Sequence, residues 1–146
     1  MIHFFSWATG VSLELPDGYE RAGSDGPTVT YGVVDEDTGR VDGASLTVQV
    51  LDHSDEPVDE STRTDAVGRL GDEAAGTGGV RVRDRSSRVV DGAPVEAVSL
   101  EAEGLYVVAA AAATEHRLLS IIGRSTDMSD LAVFDAALES MRFIEL

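Results

Sequence analysis

The sequence predicts an α+β domain: a mostly antiparallel sheet with two main helices packed on it. Three observations predict it. Apolar and polar residues alternate in several short runs, the period of half-buried strands. Two stretches switch to the helical period instead. Glycine-bearing turns join consecutive extended runs closely enough for hairpins.

Taken in order, Val11, Leu13 and Leu15 alternate with Ser12 and Glu14, and Pro16-Asp17-Gly18 ends this first strand as a turn. Val29, Tyr31 and Val33 repeat the pattern before the turn-rich Asp35–Gly39. Leu46, Val48 and Val50 make a third strand, and the acidic segment from Asp52 to Glu60 reads as a solvated connection. From about Ser61 the apolar residues Val67, Leu70 and Ala74 fall on one helical face. Gly68 and Gly71 weaken that helix by about 1 kcal/mol each relative to Ala, and Gly76-Thr77-Gly78-Gly79 ends it.

Val80–Val90 and Pro94–Glu103 read as a hairpin around Asp91-Gly92-Ala93. Charge pairing favours a three-residue loop, with Arg81 facing Glu103, Arg83 facing Glu101 and Arg88 facing Glu96, each pair contributing about 0.2–1 kcal/mol. Leu105–Thr114 is the next strand despite its five alanines, because Val107 and Val108 precede them and a short connection at Glu115-His116 returns the chain. Arg117–Gly123, apolar on both faces, reads as central or doubly covered. Leu131, Phe134, Leu138 and Met141 then form a helical stripe opened by Ser129 or Asp130 as cap, and Phe143–Leu146 leaves it as an extended tail.

One composition zone without repeats argues for one domain over residues 1–146. At 146 residues a core needs no staples, and the absence of cysteine removes disulfides, thiolate zinc sites and a thiol nucleophile together. The net charge of −16 repels phosphate backbones and anionic lipid, so nucleic acid is not an expected partner. All 11 basic residues are arginine and asparagine is absent too, as a GC-rich genome produces; a high-salt cytoplasm also favours acidic surfaces. No basic leader with a long apolar stretch opens the chain, and its longest apolar run, Leu105–Ala113, is far below a bilayer span. A cytoplasmic setting without membrane insertion is the expectation.

Candidate chemistry is sparse. His3, His53 and His116 lack any paired metal-ligand spacing. Asp35-Glu36-Asp37-Thr38-Gly39 begins like a calcium loop but lacks its third acidic position and closing glutamate. No nucleophile elbow or phosphate-binding loop stands in the right context. No catalytic residue, metal or cofactor is therefore expected. Phe4, Phe5 and Trp7 are the most unusual local feature in a chain with 5% aromatics. They read either as an exposed hot spot for a partner or, the preferred reading, as a cap on the core, because exposed aromatic clusters are rare on monomers. Arg81, Arg83, Arg85 and Arg88 read as cross-strand neutralisation by glutamates, or alternatively as a site for an anionic partner. Phe4, Phe5, Trp7, Arg81 and Arg83 are thus the candidate partner-binding residues.

Three phrases carry a family resemblance: Gly10-Val11-Ser12-Leu13-Glu14-Leu15-Pro16-Asp17-Gly18-Tyr19, Val90-Asp91-Gly92-Ala93-Pro94, and Phe134-Asp135-Ala136-Ala137-Leu138-Glu139-Ser140-Met141-Arg142-Phe143. With the order of elements they resemble the Mog1p/PsbP-like superfamily, and within it bacterial domains of unknown function related to the DcrB and LpqN lipoproteins. The resemblance implies an α/β/α sandwich with a central antiparallel sheet. It also implies a binding or scaffolding role, since known members include a binder of the GTPase Ran, an extrinsic photosystem subunit and bacterial chaperones. The chain lacks the lipobox cysteine of the lipoprotein branch and the leader of the photosystem branch, and no functional residue carries over. The functional expectation is a non-enzymatic adaptor or chaperone-like module with a protein partner. The alternative is a small-ligand carrier or enzyme with its site between the sheet and the glycine-rich first helix.

Overall fold

The computed structural model describes residues 1–144. In chain order its elements are β1 (Ile2–Ser6), β2 (Val11–Leu15), β3 (Tyr19–Asp25), β4 (Thr28–Val34), β5 (Val41–His53), α1 (Glu60–Ala75), β6 (Arg81–Val90), β7 (Ala93–Ala102), β8 (Leu105–Ala113), β9 (Arg117–Ser125), α2 (Asp130–Ser140) and β10 (Arg142–Phe143). Two strands lie where no alternation marks them, β1 and β3. β1 is aromatic, and all of β3 after Tyr19 is exposed, so neither shows the apolar period. β5 also continues through Asp52 and His53, which the sequence assigns to a connection. The expected extended tail is described as far as Ile144, and the rest of it lies outside the described residues.

Seven strands form one antiparallel sheet in the order β3-β4-β5-β9-β8-β7-β6, and β1-β2-β10 form a smaller one. β9 is central in the large sheet, as its two apolar faces require. The second half is the expected meander. The architecture is α+β with a sheet-dominated core.

The alanines of β8 explain how the sheet receives packing on both faces. Ala110 and Ala112 belong to the main core with Leu13, Tyr31, Leu46, Ile121 and the α2 residues Phe134 and Leu138. Ala111 and Ala113, pointing the other way, pack with Val67 of α1, joined by Leu70 and Leu118. Small side chains let elements approach closely on either side. Tertiary contact thus overrides the helix preference of alanine.

The β6–β7 hairpin corrects the expected register. Asp91 and Gly92, at φ 49° and 79°, make a two-residue loop of the type I′ kind, so Val90 faces Ala93 and Ser87 faces Glu96. A shift between Val82 and Asp84 then sets Val82 opposite Leu100 and Arg81 opposite Glu101. The three-residue loop and the pairings of Arg81 with Glu103 and Arg88 with Glu96 do not occur. Turn geometry, with both central residues at positive φ, outweighs charge pairs that long side chains can make diagonally.

The caps divide. Asp59 caps α1 by accepting from Thr62 N at 2.8 Å, and the Gly76 N–H closes the other end on Ala74 and Asp72 carbonyls. At α2, Ser129 has helical angles and makes no capping bond. Its hydroxyl donates to Asp127 at 2.8 Å, while Asp130 accepts from Ser125 at 2.5 Å. Among the described residues no helix is long and apolar enough to cross a membrane.

Candidate functional site

Loops from distant parts of the chain meet at one end of the large sheet. There β5 ends at His53, directly opposite Arg117 at the start of β9. The β8–β9 return is held by Thr114, whose N–H donates to Arg117 O at 2.9 Å and whose Oγ1 accepts from Arg117 N at 3.0 Å. The segment after β5 fastens onto that return: Ser54 N donates to His116 O and Val58 N to Glu115 O, both at 2.8 Å. His116 Nδ1 lies 3.0 Å from Ser54 O. A carbonyl only accepts, so Nδ1 carries the proton.

Arg117 brings in two further segments. Its buried guanidinium donates to Thr9 O in the β1–β2 turn and, at 2.6 Å, to Ile144 O. Gly10 makes this possible. It has φ +70°, and a Cβ there would stand 2.8 Å from the Arg117 Cζ and the Ile144 carbonyl. Between Ala8-Thr9, Pro27, Val50 and His53–Asp55 this leaves an open cleft of about 420 Å³. Past His53 and His116 it is continued by a recess of about 230 Å³ beneath Thr62, Arg63, Ala66 and Arg69 of α1.

The fold therefore brings His53 and His116 to one cleft and leaves His3 exposed on β1. His53 Nδ1 lies 3.8 Å from Asp55 Oδ1, with both side chains exposed. Among the described residues no three metal-ligating side chains converge. Asp35 holds its own turn, Oδ1 accepting from Asp37 N at 2.8 Å.

The aromatic cluster splits. Phe4 turns toward the core and meets Tyr31 at 4.9 Å between ring centroids. Phe5 and Trp7 face outward, edge to face at 5.0 Å and 81°, and Trp7 is 74% exposed. Trp7 directly precedes Ala8 and Thr9, which wall the cleft. The exposed aromatic residue is thus the immediate sequence neighbour of the cleft wall.

The arginines of β6 lie elsewhere, along the edge of the large sheet. Arg83 meets Glu101 at 2.9 Å and stands 5.8 Å from the Tyr106 ring centroid. Arg85 bridges Glu96 at 2.6 Å and Asp72 of α1 at 2.7 Å; Arg88 bridges Asp135 at 2.8 Å and Glu139 of α2 at 2.7 Å. These partners raise both guanidinium pKa values, against desolvation that is the largest single influence at Arg88 and lowers it. Glu96 is buried and also accepts from the Ser87 hydroxyl. Three of the four arginines are thereby neutralised, and two of them, Arg85 and Arg88, tie the two helices to the edge strand. Arg81 makes no ion pair among the described residues and is exposed. Arg81 and Arg83 sit at the start of β6, whereas its last residue, Val90, adjoins the end of β7 nearest the cleft, so they form no single site with Trp7.

Comparison with known proteins places this geometry in a structural group. No family model matches the sequence, and no curated protein matches it either. Solved structures do. The solution structure of the cyanobacterial PsbP protein CyanoP from Synechocystis sp. PCC 6803 aligns over 97% of this chain and 91% of its own, with 15% identity and a TM-score of 0.59. PA94 of Pseudomonas aeruginosa, a protein of unknown function described as a putative regulator, aligns over 100% and 99% with 15% identity and a TM-score of 0.57. LpqN of Mycobacterium tuberculosis, involved in cell envelope biogenesis, aligns over 99% and 90% with 13% identity and a TM-score of 0.56. The chain has the Mog1p/PsbP-like fold that its local phrases resemble.

Proposed function

We propose that this chain is a non-enzymatic protein-binding module, adaptor or chaperone-like, working in a bacterial cytoplasm as one α/β/α domain with α1 and α2 on opposite faces of the sheet. The observation that carries the reading is the exposed Trp7, packed edge to face on half-buried Phe5 and next in sequence to Ala8 and Thr9 of an open cleft. Tryptophan supplies large contact area at low entropic cost, and it is enriched among residues that dominate interface energies. The similar structures, a PsbP protein, a putative regulator and an envelope-biogenesis protein, support an accessory role. The −16 charge supports a protein partner over nucleic acid or an anionic membrane.

Affinity capture from native lysate with the wild type and Trp7→Ala side by side tests this. A partner held at stoichiometric level by the wild type and lost by the folded variant is the expected result. Recovery of none, or equal recovery by both, overturns it.

Of the two glycines within α1, Gly68 has nothing within 4 Å of a Cβ, whereas Gly71 leaves no room for a ligand. A Cβ on Gly71 would lie 2.5 Å from Glu96 Cγ and 3.0 Å from Arg85 Nη2, so that glycine is filled by an ion pair. Spaces between α1 and the sheet do exist, among them one of about 270 Å³ beside Leu70, Glu73 and Ala74 and the recess beneath the first half of α1.

A further inference from the structure

We propose that this recess is a binding site for a small oxyanion, a carboxylate or phosphate group, held by Arg63 and Arg69. Charge distribution carries the assignment. In a chain of net charge −16, three of the 11 arginines, Arg63, Arg69 and Arg117, line one recess of about 230 Å³. Among the described residues the one carboxylate lining it belongs to Asp52, whose Oδ1 already accepts from His53 N at 2.9 Å.

The two α1 arginines remain available to a ligand. Arg69 is exposed and makes no ion pair or hydrogen bond among the described residues. Arg63 donates Nε to Val58 O at 3.1 Å, which holds the side chain in place and leaves the two terminal nitrogens of the fork, although its charge also acts on the Asp59 cap. Arg117, by contrast, is engaged with the Thr9 and Ile144 carbonyls, and the site does not depend on it. The hydroxyls of Thr62 and Thr114 are engaged by Asp59 and Arg117, while Ala66, Ala113 and Leu118 give apolar wall. A concave, partly apolar wall focuses the field of nearby cations. Guanidinium forks match the geometry of carboxylate and phosphate oxygens. The excess of acidic residues in the chain disfavours an anion on much of the remaining surface.

The site is independent of the Trp7 reading, since neither α1 arginine borders the aromatic pair. Titrating inorganic phosphate, and separately succinate, into the uniformly labelled chain at constant ionic strength, with amide shifts followed, tests it. A saturable response centred on Thr62, Ala66, Thr114 and Leu118 is expected. Arg69→Gln and Arg63→Gln should each weaken it by about tenfold, the effect of one charge-assisted contact, while Arg124→Gln leaves it unchanged. A stronger response to phosphate assigns a phosphate group, and a stronger response to succinate a carboxylate. Shifts that rise linearly with either anion, that spread over the surface, or that Arg124→Gln weakens equally overturn the proposal.

Discussion

Gly123 sits on central β9 with the Phe134 ring directly above it, and a Cβ there would lie 2.6 Å from the ring. Gly123→Ala should destabilise the fold by about 1–3 kcal/mol through overpacking, read from chemical denaturation. Trp7 is the opposite case. Exposed to solvent, it should tolerate Ala within about 0.5 kcal/mol, so that loss of a partner on Trp7→Ala reports binding rather than folding. Tyr19 buries its hydroxyl without a hydrogen-bond partner among the described residues. Burial, with the nearby Asp130 charge, pushes its pKa up to about 12. A phenol whose folded pKa is raised contributes stability that is full below pH 10 and lost as pH rises toward 12. Tyr19→Phe should therefore leave neutral-pH stability equal or higher by up to about 1 kcal/mol and flatten the alkaline loss, both visible in melting curves across that range. Phe134 was legible as core from its helical stripe. The need for glycine at 123 was not, because the atom that fills its space comes from another element.

At the scale of elements, both helices are moored to one edge strand, and α1 is also held by its cap. Hydrogen bonds from Thr62, backbone first, lower the Asp59 pKa below its ordinary 3.8. A depressed carboxyl contributes stability present above the unfolded value and lost as pH falls through the folded one. Asparagine can cap without titrating, so Asp59→Asn should show less acid loss of helix ellipticity below pH 3.8 than the wild type. Arg88→Ala should cost about 1 kcal/mol, since its two partners are more than half exposed and solvent screens them. Exposed β6 presents alternating charges at the sheet edge, which also guards it against pairing with other chains. The β6–β7 hairpin was legible as a hairpin but not in register. Cross-strand charge pairing is weak and tolerant of offset, as Arg83 shows by reaching Glu101 from within the register shift, whereas the Asp91-Gly92 turn admits one loop length.

For the molecule as a whole, a charge of −16 is self-repulsive. Added salt should raise the melting temperature by screening it, and a melting temperature that falls between low and moderate sodium chloride would contradict this. What the sequence determined by itself is what local chemistry can carry: the strand and helix periods, the turn at Asp35–Gly39, the presence though not the length of the hairpin loop at Asp91-Gly92, a β9 that is central or doubly covered, and the α+β class. β1 and β3 escaped because their side chains do not alternate. The tertiary structure alone decided the cleft. His53, His116, Thr9 and Arg63 converge only because β5 pairs with β9 across the sheet and Arg117 then ties the β1–β2 turn to that end. A periodic pattern records which face a residue takes, but which strands become neighbours depends on contacts between residues far apart in the chain, and the candidate site is made of those contacts.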